Sequence, residues 1–431
     1  MSSLWREGVK MPEFKTLNRN EKTDVLVIGG GIAGILTAHF LKEKGIDYIL
    51  VESDRLCGGV TGNTTAKLTL SHGLIYSKII KEYGVERAQA YLHGNIEALK
   101  KYEELCRNIN CDYEVKENYV YSTDDRKKIE DEVNAFQKLG YKADFREDLP
   151  LPIKTVGAVR CEGQAQFHPL KFLSEIAKDL NVFEHTHVEN IEGNRAFTER
   201  HHIDAEKIIM TAHFPFIDRH GGFFLKMYQH RSYVLALEGA KAIDGMYVDE
   251  NKTGLSFRSY EDLLLLGGGG HRTGKQGGGY SELRTTARLY YSDAEEKYHW
   301  AAQDCMTLDG MPYVGKYSKC TPDLLVATGF NKWGMTNAMM SAMALIDAVC
   351  GKKNEILEAL DPSRSILHPQ LAVNSFETLT NILRPTVPRC SHLGCALKWN
   401  KAEKSWDCPC HGSRFAEDGR VLDNPANGRF K

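Results

Sequence analysis

Residues 23–28 form a run dominated by apolar and β-branched side chains, the pattern of a strand buried on both faces. From 32 to 44 the apolar positions recur with helical period, and Gly45 stands where a helix C-cap is expected. Residues 46–51 return to strand character and end at Glu52. The start of the chain therefore reads as a βαβ unit, the seed of a parallel sheet. Farther on, 182–191 and 202–212 read as strands, and 327–336 leads into a helix of small residues over 337–349. Residues 85–106 predict an amphipathic helix, and 111–123 and 247–268 predict strands broken by turns. The glycine run 267–270 reads as a tight strand end rather than a phosphate loop, since no helix follows it. Residues 351–374 read as a domain end and linker, broken at Pro362 and Pro369. One helix is expected over 375–384; Pro385 and Pro388 then lead directly to Cys390.

The first turn carries the first chemistry. Gly29-Gly30-Gly31-Ile32-Ala33-Gly34 is a G-x-G-x-x-G at a strand-to-helix junction. Gly29 allows the tight turn, Gly31 lets the backbone approach a pyrophosphate, and Gly34 lets helix and strand pack closely. Ile32 and Ala33 open the helix whose N-terminus faces the phosphates. Glu52, eighteen residues after Gly34, can accept hydrogen bonds from an adenosine ribose. This context predicts dinucleotide binding but does not choose FAD over NAD.

The second chemistry lies near the C-terminus, in Cys390-Ser-His392-Leu-Gly-Cys395 and Cys408-Pro-Cys410-His411-Gly-Ser413. Six metal-type residues fall within 22 positions. A zinc site or a pure disulfide framework are the alternatives; the second leaves the histidines unexplained. The boxes resemble the Rieske family, whose [2Fe–2S] centre takes two cysteines on one iron and two histidines on the other. The resemblance implies Cys390, His392, Cys408 and His411 as ligands. In the disulfide-bearing subclass it implies a bridge between Cys395 and Cys410. Residues 418–427 resemble the proline loop beside such clusters. A Rieske module usually builds a base of several strands before its first box, and here that base is missing. A module confined to 389–431 would lean on its metal or on a neighbour for stability.

Residues 22–350 resemble the D-amino-acid-oxidase-like FAD oxidoreductases. The pieces that carry this are the Gly/Thr stretch 59–67, the 163–169 entry to a helix, the strands 182–191 and 202–212, and the strand–loop–helix at 327–349. The resemblance implies FAD. It places Thr61, Thr64 and Thr65 along the flavin, the backbone of Val188 at the adenine, and Thr211 near the cofactor. Gly329, Trp333, Gly334, Met335 and Thr336 would cover the flavin ring, with a helix N-terminus toward its N1/O2 side. The expected fold is α/β: a Rossmann-like FAD-binding domain (22–84, 151–214, 305–350) with an interleaved α+β substrate domain (85–150, 215–304). A linker (351–388) and a small, truncated β-type Rieske module (389–431) follow. In this family a sheet of the substrate domain overlies the flavin, and an Arg or Tyr from it holds the substrate carboxylate. Arg258, His271 and Tyr233 are the candidates, the other reading for each being a satisfied polar residue. Cys305 as a covalent flavin anchor matches the spacing poorly, and His185, His187, His201 and His202 read as solvated.

Composition narrows the setting. The net charge is −2, with 55 basic against 57 acidic residues. This balance points to neither nucleic acid nor a membrane surface. The sequence shows no signal-peptide apolar region and no membrane-length apolar run, so a cytoplasmic protein is expected. Most of the eleven cysteines then read as reduced thiols, and the 395–410 bridge as an exception shielded by the cluster loops. The resulting expectation is a FAD-dependent dehydrogenase of an amine or amino acid. Its electrons would pass through the cluster to an acceptor protein or quinone-like acceptor. A redox sensor or electron-delivery protein, and a plain flavin oxidase with a vestigial tail, are the other readings.

Overall fold

Four consecutive buried residues, 25–28, set strand Glu21–Ile28 at the middle of an eight-stranded sheet. The structure, a computed structural model, describes residues 3–251, 254–275, 279–385 and 388–430. Across the sheet the order is Tyr313–Ser318, Thr321–Thr328, His202–Met210, Glu21–Ile28, Tyr48–Val51 and Val182–Phe183. Along this path every pair is parallel except the edge pair Tyr313–Ser318 with Thr321–Thr328; the remaining two strands, Val188–Glu192 and Arg195–Thr198, form a hairpin that joins His202–Met210 antiparallel. Helix Ile32–Glu43 is buried almost all round up to Leu41, as its largely apolar sequence requires, and packs on helix Gly334–Val349. Helix Val85–Cys106 forms where its periodicity predicts and packs on Gly334–Val349 as well.

A nine-stranded sheet stands beside this layer. It runs Glu295–Thr307, Met227–Glu238, Leu263–Arg272, Ser256–Tyr260, Met246–Asp249, Glu114–Ser122, Gly157–Gln166 and Lys67–Leu68, with Asp144–Arg146 alongside. Strands Lys67–Leu68 and Gly157–Gln166 belong to this sheet, so the chain alternates between the two layers more finely than the segments 22–84, 85–150 and 151–214. A third, antiparallel sheet of four short strands closes the chain: Lys398–Asn400, Ser405–Asp407, Arg414–Phe415 and Val421–Asp423. No helix among the described residues is long and apolar enough to cross a membrane.

Four expectations about elements are corrected. The strand 182–191 is split into Val182–Phe183 and Val188–Glu192. Glu184 turns inward there, its carboxylate accepting the N–H of Leu56 at 2.7 Å and of Phe14 at 3.0 Å. His185 takes a φ of 51° and the chain turns into Val188–Glu192, which pairs with Arg195–Thr198 rather than continuing beside Tyr48–Val51. The glycines 267–270 lie within strand Leu263–Arg272, not at its end. Their bareness admits neighbours: a Cβ on Gly269 would stand 2.8 Å from the Cα of Gly279. The helix expected at 337 starts at Gly334, because Asn331 and Lys332 turn the chain through left-handed φ of 51° and 73°. The helix expected over 375–384 is Pro369–Ile382. Pro369 opens it rather than breaking the chain, since a proline at the first helical position leaves no hydrogen bond unmade. His368 Nδ1 accepts the Gln370 N–H at 3.2 Å.

Candidate active site and metal centre

The phosphate turn is built as its glycines require. Gly29 has a φ of 111°, and a Cβ there would lie 2.8 Å from the Thr211 carbonyl oxygen. A Cβ on Gly34 would lie 1.9 Å from the Gly29 carbonyl oxygen, so only glycine lets helix and strand meet. Thr61 Oγ1 accepts the Ile32 N–H at 3.0 Å, holding the Gly/Thr stretch against the helix start. Glu52 is fixed at the strand end: Oε2 accepts the Gly30 N–H at 2.6 Å and Oε1 the Asp54 N–H at 2.9 Å.

These residues open on one cavity of about 1060 Å³, at the top of the roughly 300–1,000 Å³ span of small-molecule sites. Its lining includes Gly29, Gly31, Ile32, Ala33, Glu52, Thr61, Thr64, Thr65, Val188, Thr211, Gly329, Trp333, Gly334 and Met335. The structure thus gathers residues separated by up to three hundred positions onto one wall. Gly34 stands behind the turn, and Thr336 faces inward, its hydroxyl donating to the Thr69 carbonyl at 2.9 Å. The bare glycine cradle and the ready acid suit an extended dinucleotide such as FAD.

Of the three substrate-face candidates, only Tyr233 reaches the cavity. Its hydroxyl is committed elsewhere, 3.0 Å from His271 Nε2 and donating to Glu403 at 3.1 Å. Arg258 is fully buried away from the cavity lining. Its Nη1 donates to the carbonyls of Thr65 at 2.6 Å and Ala66 at 2.8 Å, and its guanidinium lies 5.5 Å from the Trp5 ring. Burial pulls its pKa down to about 9. Two other ionisable groups take the wall. Lys67 lines the cavity with its Nζ 3.2 Å from Thr65 Oγ1; burial, then the Arg258 charge, lower it to about 7. Asp304 also lines the cavity, and burial raises its carboxyl to about 6 against the pull of Lys332 and Arg231. Sequence reasoning singled out neither: Lys67 ends the Gly/Thr stretch 59–67, and no local pattern marks a buried charge. Cys305 is buried, and burial holds its thiol well above the ordinary range.

The two C-terminal boxes meet as a second site. Cys390, His392, Cys408 and His411 converge, and the two imidazoles lie 5.0 Å apart at 90°. A hydrogen bond from the Cys408 thiol lowers the Cys390 thiol to about 6 despite burial. The Nδ1 atoms of both histidines are buried with no hydrogen-bond partner. Two adjoining sulfurs and two orphaned ring nitrogens are the donor set a Rieske cluster takes up. Cys395 and Cys410 form the bridge between the loops. Although the sulfurs of Cys395, Cys408 and Cys410 lie within 4.8 Å of one another, this bond removes two of them as ligands.

The missing base of the module is supplied by the nine-stranded sheet. Arg231 pairs with Glu403, Nε to Oε1 at 2.6 Å. Arg272 donates to the carbonyls of Pro409 at 3.0 Å and Cys410 at 2.8 Å. Gln229 donates to the His411 carbonyl at 3.0 Å, and Gln303 to that of Gly412 at 2.8 Å. The approach is tight enough to demand glycines: a Cβ on Gly412 would lie 2.4 Å from Gln229 Cβ, and one on Gly274 2.6 Å from the Pro409 nitrogen. Asn424, in the proline loop, donates to the carbonyls of Ala212 at 2.6 Å and Phe214 at 2.7 Å. Residues 420–424 and 426–429 of the module line the cavity itself.

Comparison with known proteins agrees with this geometry. A family model described as FAD dependent oxidoreductase (DAO) matches residues 24–348, and one described as Rieske [2Fe-2S] domain matches 363–431. The Rieske match takes in helix Pro369–Ile382 and decides against zinc. The chain is similar to the Rieske 2Fe-2S iron-sulfur protein YhfW of Bacillus subtilis (strain 168), 32% identical over 487 residues, covering 98% of this chain and 96% of that one. That alignment is longer than the 431 residues here, so the relative carries segments this chain lacks. Gamma-glutamylputrescine oxidoreductase of Escherichia coli (strain K12) is 33% identical over 111 residues, 24% of this chain and 25% of that one. Among solved structures, glycine oxidase from Geobacillus kaustophilus shares the fold, with a TM-score of 0.68 at 18% identity over 80% of this chain and 100% of that one. The chain belongs to the FAD dependent oxidoreductase family and carries a C-terminal Rieske [2Fe-2S] domain, with FAD and a [2Fe–2S] cluster as its cofactors.

Proposed function

We propose that this oxidoreductase dehydrogenates a small amine or amino acid. Bound FAD would take the hydride from the carbon next to nitrogen, and the cluster would carry the electrons singly to an acceptor protein or quinone-like acceptor. One observation carries the relay: the module that holds the cluster ligands also forms a wall of the dinucleotide cavity. Asn424 fastens that wall to the carbonyl of Ala212, itself a cavity residue. The names of the gamma-glutamylputrescine oxidoreductase and glycine oxidase support the amine class.

The chain's own residues supply binding and proton handling. Asp304, raised to about 6, can take a proton from a substrate ammonium, as loss of a hydride from carbon requires a neutral amine. Lys67, lowered to about 7, can hold a substrate carboxylate when charged. The module wall limits water entry from its side. Nine of the eleven cysteines are outside the disulfide, in keeping with a reducing cytoplasm. Cys395 and Cys410 are each only 1% exposed, which shields the one bridge.

The test is anaerobic mixing of iron-loaded protein with glycine, sarcosine, proline and putrescine derivatives. Flavin bleaching followed by a Rieske-type EPR signal is expected for at least one. Flavin reduction that leaves the cluster oxidised, with oxygen consumed on aeration, would instead make the chain a simple oxidase.

A further inference from the structure

The loop after strand His202–Met210 brings one acid to the cluster loops. Asp218 faces His392 from the flavoprotein side, its Oδ2 2.9 Å and its Oδ1 3.1 Å from Nε2. The His392 side chain is 4% exposed and that of Asp218 35%, so the imidazole is dry while one edge of the carboxylate is wet. An ionised carboxylate only accepts hydrogen bonds, so Nε2 carries the hydrogen. Nδ1 is then the nitrogen with a free lone pair, and it is the atom buried without a partner. His411 has a different setting. Its ring packs edge-on against Phe214 and Phe224, with the Phe224 backbone beside it. The two histidines are therefore unequal, and the inequality comes from outside the Rieske module.

We propose that Asp218 is a positioning residue for the cluster: it fixes the tautomer of His392, aims Nδ1 at the iron, and makes the cluster harder to reduce. A carboxylate on the far nitrogen of a ligating imidazole orients the ring and raises its basicity. Negative charge and a more basic ligand both favour the oxidised state of the iron. The same contact ties the first cluster loop to the flavoprotein, so the ligand is seated only when the module is docked. The proposal rests on the cluster being bound by these four residues, and not on any substrate.

The experiment compares iron-loaded wild type with Asp218→Asn, Asp218→Ala and Asp218→Glu in an EPR-monitored redox titration. In D218N and D218A the one-electron reduction equilibrium should shift toward the reduced cluster by tenfold or more, which is about 59 mV upward. D218E should stay near wild type. Unchanged potentials in D218N and D218A at wild-type iron content would overturn the proposal. Loss of iron from D218A but not from D218E would support the positioning role. A second reading uses metal-free protein and imidazole 15N NMR. His392 should hold its hydrogen on Nε2, and D218A should lose that preference; a wild-type His392 protonated on Nδ1 alone would refute the assignment. Neither measurement needs turnover, so a displaced potential in a protein that oxidises no amine would sink the proposed reaction and leave this inference standing.

Discussion

Replacing Glu403 by alanine should loosen the cluster module from the flavoprotein body. Glu403 accepts from Arg231 through both oxygens, from Arg414 at 3.0 Å and from the Tyr233 hydroxyl at 3.1 Å. The side chains of Arg231 and Arg414 are each 7% exposed, so neither can be rehydrated where it stands. Removing one partner of such a buried pair costs about 3–5 kcal/mol. Arg414 retains Asp407 and Asp423, which puts the expected loss at the lower end. At about 1.4 kcal/mol per tenfold, ~3 kcal/mol is roughly a hundredfold in the docking equilibrium. The assay is flash photoreduction of the flavin in iron-loaded protein, followed by the rate at which the cluster is reduced. E403A should slow cluster reduction, leave flavin reduction alone, and expose the module to protease. The double variant R231M/E403M removes both charges and should recover most of the docking. Wild-type cluster reduction and protease resistance in E403A would refute this reasoning, as would a double variant worse than E403A. The pH dependence has a definite sign. Burial pushes the Glu403 carboxyl up, but Arg231 and Arg414 outweigh it and hold it at about 2, below its ordinary 4.5. Its contribution is full above pH 4.5 and is lost as pH falls toward 2.

Three further outcomes are expected. Gly34→Ala puts a methyl 1.9 Å from the Gly29 carbonyl oxygen, so the protein should purify without FAD; full flavin content would contradict the close-packing account. Asp304→Asn should remove an activity limb that rises through pH about 6, measured as substrate-driven flavin reduction; an unaltered profile would take Asp304 out of proton handling. Removing the bridge as C395S/C410S opens a loop of sequence separation 15, worth about 3 kcal/mol in the chain-entropy account. The EPR signal of the double variant should therefore be lost at lower temperature than in wild type, with flavin release unchanged.

What was legible in the sequence was local. The strand, glycine turn, helix and acid at 23–52 lie within one βαβ unit, where each residue's role follows from a neighbour a few positions away. The cysteine and histidine boxes are two short turns joined by a hairpin, so the residues on which the Rieske resemblance rests lie within 22 positions. The rest is written in long-range contacts. Alternation puts Arg258 and Tyr260 on one face of strand Ser256–Tyr260, but period-2 arithmetic does not say which face looks on the cavity. That face looks instead on Trp5. Strand 182–191 was broken by an inward carboxylate whose donors are Phe14 and Leu56, far from it in the chain. The support for the short Rieske module was likewise hidden, since Arg231 and Glu403 are 172 positions apart.

Residues 420–429 have a consequence for biogenesis. They form one side of the dinucleotide cavity, and they are the last of its lining residues to be synthesised. The Gly29 turn, the Gly/Thr stretch and the Trp333 loop can all be in place while that side still stands open. FAD thus has a broader entrance before the module docks than after it. Docking of the module narrows the flavin's way in and out, and flavin exchange should be faster in a chain whose module is undocked than in one whose module is seated.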